Sequence, residues 1–258
     1  MPEADRHYDD FHPGVTMLTY TNEQARDYTR FIVDRQGAGT LHAWLTDDDP
    51  VIHAQKILNT FITASHGTTL HKVLDVGCGT GEMLYQLKEI YPSFVFAKGI
   101  NVFPSQVEMV PPGSGISFVC RDFEKNLVCV GHEGTFDLVM CNYTLGHFEQ
   151  LPTALKKMYD LLAPGGTLGI YDVGRRSIMW DEILGYHLWS RFELRDALNL
   201  AGFMCVHDWT VDTTSTDKDL TYYINDLFAG DTTEEGQKLM QEWRTKTKPV
   251  LITARKEK

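Results

Sequence analysis

The sequence predicts an α/β fold in which a mostly parallel sheet of seven strands carries helices on both faces, with a helical lid at the N-terminus. From residue 72 onwards, short apolar-rich runs alternate with segments of helical spacing, which is typical of parallel strands covered on both faces. A glycine-rich loop directly follows the first run. The chain has 258 residues, of which 43% are apolar and 23% charged, values typical of a folded domain.

The N-terminal part is predicted to be helical. Thr21 and Gln24 have the spacing of a capping box, which predicts the start of a first helix. Asp49 followed by Pro50 predicts the start of a second helix, because proline is favoured at the first helical position. We therefore assign residues 1–68 to a helical segment that covers the core as a lid.

The core is predicted to extend over residues 69–258. Its seven predicted strands are KVLDVG, SFVFAKGI, ISFVCRD, FDLVMCN, GTLGIYDV, FMCVHDWTV and PVLITARK. Helices are predicted between most of them, and Ser190 with Glu193 forms a second capping box at the start of one helix. The last strand is predicted to lie at the edge of the sheet or in the penultimate position.

Composition and charge exclude several classes of function. The formal net charge is −11 and no block of Lys or Arg occurs, which argues against nucleic acid as the main partner. No apolar run approaches the roughly 20 residues of a membrane-spanning helix, and the polar, acidic start is unlike a secretory signal. The five cysteines form no CxxC pair, which favours reduced thiols over a disulfide or zinc framework. These features predict a cytoplasmic protein without a membrane span.

The most informative motif is VLDVGCGTGEM, at residues 73–83, where a predicted strand, three glycines and a predicted helix follow one another. Gly77, Gly79 and Gly81 permit a tight turn and a close approach of the backbone to a ligand. No lysine follows the loop, so it is not a phosphate-binding P-loop. Asp75 stands two residues before the first glycine. The motif therefore predicts a ligand at the carboxyl end of the first strand.

This arrangement resembles motif I of the class I S-adenosylmethionine-dependent methyltransferases, and the resemblance extends from about residue 72 to the C-terminus. It implies a Rossmann-like core, S-adenosylmethionine as the cofactor and methyl transfer as the activity. In that family the acidic residue near the start of the loop faces the methionine end of the cofactor, which implies this role for Asp75. The stretch LLAPGGTLGIYDV resembles the last helix–turn–strand motif of the family.

Two further stretches imply contacts with the nucleoside of the cofactor. GINVFPSQV contains Asn101, Val102 and Gln106, and Asn101 stands where the family usually has an acidic residue for the ribose hydroxyls. This stretch is also similar to the branch that contains cyclopropane synthases and sterol C-methyltransferases. CRDF supplies Asp122 and Phe123, which by the same resemblance meet the adenine amino group and the adenine ring.

The methyl acceptor is expected above the ends of the fourth and fifth strands, where CNYTLGHFEQ follows an apolar run. Asn142 is expected to face the cofactor or to position its methyl group. Tyr143, His147 and Glu149 are candidate bases or cation-stabilising residues, and the loop resembles that of sterol and prenyl-diphosphate C-methyltransferases. Tyr171, at the end of the fifth strand, is a fourth candidate catalytic residue.

An insertion at about residues 174–190 is predicted to close over the acceptor together with the N-terminal lid. The candidate acceptor-binding residues are two arginines and four aromatic residues: Arg175, Arg176, Trp180, Tyr186, Tyr28 and Trp44. The arginines suit a diphosphate because the guanidinium is planar and bidentate. The aromatic rings suit an apolar acceptor or a carbocation.

These features favour C-methylation of the alkene of a prenyl diphosphate, such as isopentenyl diphosphate, or of a related terpenoid, through a carbocation. The main alternative is O- or N-methylation of a small metabolite or quinone, with His147 as the base. A cyclopropane synthase and a non-catalytic cofactor-binding module are further alternatives. The sequence contains no metal-binding motif, although a diphosphate acceptor would bring Mg2+ as a second cofactor. The expected partner is a small apolar or prenyl molecule, and a homodimer is left open.

Overall fold

The computed structural model describes residues 50–66, 69–108, 115–125, 134–175, 182–183, 186–209 and 247–258. The predicted first helix of the lid, which contains Tyr28, lies outside the described residues. Trp44, between the two predicted helices, also lies outside them, as do Arg176 and Trp180. Of the lid assigned to residues 1–68, the structure therefore describes only the second helix and the residues just after it.

The described residues contain nine strands, seven of which form one sheet. They are β1 (Lys72–Val76), β2 (Phe96–Asn101), β3 (Ser117–Cys120), β4 (Phe136–Asn142), β5 (Leu162–Arg175), β6 (Glu182–Ile183), β7 (Tyr186–His187), β8 (Met204–Trp209) and β9 (Thr247–Arg255). The order in the large sheet is β3-β2-β1-β4-β5-β9-β8, and β6 pairs with β7 separately. β1 to β5 pair in parallel, whereas β9 is antiparallel to both of its neighbours. The prediction of a seven-stranded, mostly parallel sheet is confirmed, and the C-terminal strand takes the penultimate position.

Helices flank the sheet in the described part of the chain. They are α1 (Pro50–Ala64), α2 (Glu82–Ile90), α3 (Pro104–Glu108), α4 (Leu151–Leu161) and α5 (Arg191–Ala201), and a 3-10 turn, Leu145–His147, precedes α4. The predicted capping box of α5 is confirmed. The Ser190 hydroxyl accepts from the Glu193 N–H at 3.2 Å, and the Glu193 carboxylate accepts from the Ser190 N–H at 2.8 Å.

Apolar side chains are buried on both faces of the sheet. One cluster joins α4 and α5 to the sheet through Leu155, Leu198 and Ile170. A second cluster joins α1 and α2 to the sheet and includes Phe61 and Leu84. Because both faces are covered, the parallel strands are rich in apolar residues along their whole length instead of alternating apolar and polar residues.

The approach of α1 to the sheet depends on a glycine in β5. A Cβ atom at Gly169 would lie 2.5 Å from the ring of Phe61, which is far below a van der Waals contact. Phe61 is fully buried at this position. The second predicted helix of the lid is therefore packed directly on the strand that ends beside the candidate site.

A carboxylate closes the amino edge of the sheet, by which we mean the edge where the parallel strands begin. Asp137, near the start of β4, accepts through Oδ2 from the backbone N–H groups of His71 and Lys72 at 2.8 and 2.9 Å. These bonds tie the start of β1 to β4. They also satisfy two backbone donors at the end of a strand, where the ladder provides no partner.

The described part of the chain gives no sign of a membrane span or a metal cluster. None of its helices is long and apolar enough to cross a membrane. Within the same residues, no group of three or more His, Cys, Asp or Glu side chains could hold a metal ion. Cys78, Cys120, Cys141 and Cys205 are free thiols.

Candidate active site

The glycine loop, residues 77–81, connects β1 to α2 at the carboxyl edge of the sheet. Gly77, Gly79 and Gly81 all have positive φ, at +77°, +54° and +87°, a region that favours glycine. The N–H groups of Gly77 and Cys78 donate to the Ile100 carbonyl at 2.8 and 3.0 Å, which ties the loop to β2. The glycines expected from the motif therefore adopt the tight turn that the sequence predicts.

The surroundings of the three glycines are of two kinds. A Cβ atom at Gly77 would lie 2.0 Å from Thr144 Oγ1, and one at Gly81 would lie 2.5 Å from the ring of Phe118. Among the described residues, no atom lies within 4 Å of a Cβ atom built on Gly79. The first and third glycines thus allow protein side chains to pack against the loop, whereas the middle one faces open space where a ligand has room.

Asp75 and Asn142 form a buried polar pair at the carboxyl ends of β1 and β4, which are neighbours in the sheet. Asp75 is 2% exposed and Asn142 is 5% exposed. Among the described residues, Oδ1 of Asp75 and both amide atoms of Asn142 lack a hydrogen-bond partner. A buried polar atom without a partner costs roughly 1–3 kcal/mol, so this pair indicates a ligand site.

Burial also changes the acidity of Asp75. Desolvation raises the pKa of Asp75 from its ordinary value of 3.8 to about 7. The Asn142 side chain beside the carboxyl group opposes this rise, although its amide forms no hydrogen bond of normal geometry. A ligand cation here would favour the ionised carboxylate, and the amide can both donate to and accept from the same ligand. The ammonium and carboxylate at the methionine end of S-adenosylmethionine fit these requirements.

The predicted ribose site lies at the end of β2, next to the glycine loop. Asn101 is buried, and its Nδ2 donates to Oε1 of Gln106 in α3 at 2.6 Å. The carbonyl of Val102 accepts a weak hydrogen bond from the thiol of Cys120. The structure thus brings Asn101, Val102 and Gln106 together, with one amide hydrogen bond already made between two of them. Their contact with ribose remains a prediction.

The predicted adenine site follows β3. Oδ1 of Asp122 accepts from the N–H groups of Glu124 and Lys125 at 2.9 and 3.4 Å, so this carboxylate stabilises its own turn. Phe123 is buried in the core, with its ring centroid 6.1 Å from that of Phe148. The carboxylate and the buried ring thus both stabilise this turn, and the contacts of Asp122 and Phe123 with adenine stay predictions.

We call residues 142–150 the acceptor rim, because they follow β4 at the carboxyl edge. Tyr143 has φ +47°, its N–H donates to the Tyr171 carbonyl at 2.9 Å, and the two rings meet edge to face at 5.2 Å. Burial raises the pKa of Tyr171 well above its ordinary value of 10.0. Tyr171 therefore keeps its proton near neutral pH and suits the role of a donor or an aromatic wall better than that of a base.

The other two candidate bases of the rim are exposed. His147 ends the 3-10 turn, and its N–H donates to the Thr144 carbonyl at 3.0 Å. Glu149 is exposed, and its backbone N–H donates to the Glu124 carboxylate at 3.0 Å. Both side chains can reach a solvent-borne acceptor, and neither has the burial of Asp75.

The segment after β5 is described in part. Arg175 ends β5 and Tyr186 lies in β7, but only their backbone is described. β7 packs against the 3-10 turn of the rim, so the chain around Tyr186 lies next to the turn that carries His147. The side-chain contacts predicted for Arg175 and Tyr186 with an acceptor stay predictions.

Asp172 is a site residue that the sequence motifs do not identify. It is buried in β5, and its Oδ2 accepts from the N–H groups of Thr144 and Leu145 at 3.1 and 3.0 Å. The one signal in the sequence is its position, as a lone carboxylate directly after the apolar run LGIY that leads towards the carboxyl edge. That position does not reveal that the carboxylate binds the rim.

Known proteins resemble the chain in both sequence and structure. The model of the methyltransferase domain family matches residues 19–208, more than half of the chain. The chain is 28% identical over 99 residues to a malonyl-[acyl-carrier protein] O-methyltransferase of Priestia megaterium, covering 37% of this chain and 34% of that enzyme. It is 26% identical over 215 residues to the O-methyltransferase cnsE of Penicillium expansum, covering 77% and 76%. The chain spans about a third of the length of the first curated relatives that it matches.

Among solved structures, geranyl diphosphate C-methyltransferase from Streptomyces coelicolor, in complex with Mg2+, geranyl diphosphate and S-adenosyl-L-homocysteine, matches with a TM-score of 0.59. The identity is 14%, over 80% of this chain and 82% of that one, so this likeness shows the fold alone. The chain belongs to the methyltransferase domain family. Its place in the sterol and cyclopropane branch stays a prediction.

Proposed function

We propose that this chain is an S-adenosylmethionine-dependent methyltransferase that methylates an oxygen atom of a small molecule bound over the acceptor rim. The observation that carries the proposal is the exposed imidazole of His147, on the same short loop as the buried, unpartnered amide of Asn142. The O-methyltransferases among the relatives also favour oxygen. The alternative in the sequence analysis thus becomes the leading hypothesis, because the relatives that the chain matches include O-methyltransferases.

The cofactor is proposed to lie across the carboxyl edge, with its methionine end on Asp75 and Asn142 and its nucleoside end towards Asn101 and Asp122. S-adenosylmethionine supplies a methyl group that its sulfonium charge already activates. Asp75 would bind the ammonium, and the open space at Gly79 would let the backbone approach the ligand. The chain therefore has to hold the acceptor atom in line with the methyl group and to exclude water.

His147 is proposed to take the proton of the acceptor hydroxyl. An imidazole is suited to this task near neutral pH, and its exposure at the rim leaves it accessible to an incoming acceptor. The edge-to-face rings of Tyr143 and Tyr171 would form an apolar wall beside the acceptor. Tyr171 is fully buried, so it would support the ring of Tyr143 from behind instead of meeting the acceptor directly.

C-methylation of a prenyl diphosphate is the second candidate, and the aromatic pair of Tyr143 and Tyr171 favours it. The π-face of an aromatic ring stabilises a carbocation, which would then lose a proton to His147 or Glu149. Arg175 and Arg176 would bind the diphosphate, with Mg2+ as a further cofactor. A fold shared with a geranyl diphosphate C-methyltransferase is compatible with this candidate but does not favour it over O-methylation.

A radiolabelled methyl-transfer assay would distinguish the two candidates. The purified full chain would be incubated with labelled S-adenosylmethionine and a panel of phenols, carboxylic acids, isopentenyl diphosphate and geranyl diphosphate, with and without Mg2+. We expect label in the phenols or carboxylic acids, independent of Mg2+. Label only in the prenyl diphosphates would overturn O-methylation and support the second candidate.

The role of His147 has its own control in the same assay. We expect His147→Gln, which removes the base and keeps a polar side chain, to reduce turnover by roughly 100-fold or more, because general-base catalysis contributes that much. Binding of S-adenosylhomocysteine should stay within about twofold, since His147 is assigned to the acceptor side. Equal losses of turnover and affinity would place His147 on the cofactor side instead.

The proposal also includes the sequence predictions for the lid, the location and the partners. Residues 1–68 and 174–190 are proposed to close over the acceptor, with Tyr28, Trp44, Trp180 and Tyr186 lining it. We also propose a cytoplasmic location and no nucleic-acid partner, as the sequence predicts. A homodimer is left open. The acceptor panel does not depend on any of these.

A further inference from the structure

The acceptor rim turns sharply after β4, and a residue of another strand stabilises the turn. Tyr143 adopts the left-handed region, which costs a tyrosine of order 1 kcal/mol or more. The next two N–H groups, those of Thr144 and Leu145, both donate to the buried carboxylate of Asp172. Hydrogen bonds to a charged acceptor are stronger than neutral ones. The shape of the rim therefore depends on β5 as well as on its own sequence.

This turn holds Thr144 against the glycine loop. Thr144 Oγ1 donates to the Asn142 carbonyl at 2.8 Å and lies 3.5 Å from the Gly77 carbonyl oxygen. The space that a side chain at Gly77 would need is filled by the Thr144 side chain. Two surfaces packed without a gap cannot move independently, so the acceptor rim and the glycine loop behave as one unit.

The other end of the rim is also held by a carboxylate. Glu124 accepts from the backbone N–H groups of Glu149 and Gln150 at 3.0 and 2.7 Å, just before α4 begins. Glu124 directly follows the predicted adenine site. Of the two carboxylates, only Asp172 holds the end of the rim that touches the glycine loop.

We propose that Asp172 is a positioning residue of the methyl-transfer site. By holding Thr144 over Gly77, it joins the acceptor rim to the glycine loop, so that binding of the cofactor also orders the rim. The proposal rests on the proposed function only in that methyl transfer takes place at this site. It does not depend on which acceptor atom is methylated. A negative result with the acceptor panel would therefore leave this proposal standing, and a negative result in the test below would leave O-methylation standing.

Hydrogen–deuterium exchange of the full chain, with and without S-adenosylhomocysteine, tests the coupling. In the wild type we expect the ligand to slow exchange of the peptide covering residues 143–150 about tenfold, as expected when a local opening is suppressed. Asp172→Ala should still bind the ligand but should lose this protection. Asp172→Asn keeps an oxygen that can accept both N–H groups, so this variant should retain most of the ligand-induced protection.

Asp137→Ala is the matched control, because Asp137 also accepts two backbone N–H groups but lies at the amino edge, away from the glycine loop. We expect it to retain the ligand-induced protection of residues 143–150. Thr144→Ala keeps both N–H groups on Asp172 but removes the contact with Gly77, so it should also lose the protection. It therefore tests the same coupling in case Asp172→Ala does not fold.

Two results would overturn the proposal. One is full ligand-induced protection in Asp172→Ala or, where that variant does not fold, in Thr144→Ala. The other is an equal loss of protection in Asp137→Ala, which would reduce Asp172 to a general contribution to stability. Loss of the protection in the Asp172 and Thr144 variants but not in the Asp137 variant would support it.

Discussion

At both edges of the sheet, a carboxylate accepts two backbone N–H groups, but the two carboxylates have different roles. At the amino edge, Asp137 accepts two backbone N–H groups and ties β1 to β4. At the carboxyl edge, Asp172 also accepts two backbone N–H groups, but they belong to a loop in which Tyr143 is in the left-handed region. The first carboxylate completes the pairing of strands, whereas the second holds a strained turn in place.

The carboxyl edge also leaves two neighbouring buried side chains unsatisfied. Beside the rim, Oδ1 of Asp75 and the amide atoms of Asn142 have no partner among the described residues. Unpaired buried polar atoms lower the stability of the ligand-free fold, and they are retained where a ligand supplies the missing partners. The difference teaches that a carboxylate at a strand end does not by itself identify a site. At the carboxyl edge, the site is indicated by a pair of neighbouring residues with unpaired buried atoms beside the glycine loop.

The largest effect is expected from a methyl group added at Gly77, at the carboxyl edge. Gly77→Ala would place a Cβ atom 2.0 Å from Thr144 Oγ1 at φ +77°, so we expect it to abolish binding of S-adenosylhomocysteine and to cost about 2–5 kcal/mol of stability. Gly134→Ala, near the start of β4, has φ +68°, but no atom of the described residues lies within 4 Å of the new Cβ atom. It should cost only about 1–2 kcal/mol and leave binding unchanged.

Urea denaturation and isothermal titration calorimetry would measure both variants. A Gly77→Ala variant that binds S-adenosylhomocysteine as tightly as the wild type would contradict the close packing of rim and loop. Loss of binding in Gly134→Ala would show that the two edges are not independent in the way the comparison requires.

A smaller effect is expected from the acidity of Asp75. Because burial raises the pKa of Asp75 to about 7, the folded state holds this proton more tightly than the unfolded state. The resulting stabilisation is fully present below about pH 4 and is lost as the pH rises through 7. Between about pH 5 and pH 7, the free energy of unfolding of the ligand-free protein should fall by ~2 kcal/mol from this group.

Urea titrations at several pH values would test this dependence. Asp75→Asn cannot ionise, so the same titrations of the variant should lack this contribution to the slope. An unchanged slope in the variant would mean that Asp75 titrates near its ordinary pKa, and that its carboxylate is better solvated than its burial indicates.

The fold was predictable from the sequence because its signals are local. The apolar-rich runs, the glycine loop of Gly77, Gly79 and Gly81, and the capping box at Ser190 each lie within about a dozen residues. The sequence predicted either the edge or the penultimate position for β9, because the pairing of two distant segments cannot be deduced from either segment alone. Its penultimate place is set by its packing between β5 and β8.

The site was predictable only where one short segment carries its chemistry. Asp75 was identified from the glycine-loop motif and Asn142 from its place after an apolar run, and both are buried at the carboxyl edge. Asp172 was missed, because its role depends on N–H groups nearly thirty residues earlier in the chain. The contact of Thr144 with Gly77 likewise requires two strand ends to meet, which sequence spacing does not reveal.

The central claim is that the carboxyl edge binds the cofactor through its unsatisfied polar atoms. Titration calorimetry of S-adenosylhomocysteine into the wild type and Asp75→Asn, in two buffers of different ionisation enthalpy, tests it most directly. At pH 7 the wild type should release about half a proton on binding, as the ligand ammonium ionises Asp75. Asp75→Asn should bind at least about tenfold more weakly, a loss of ~1.4 kcal/mol, without that release. Equal affinity and equal proton release in the two proteins would contradict the claim.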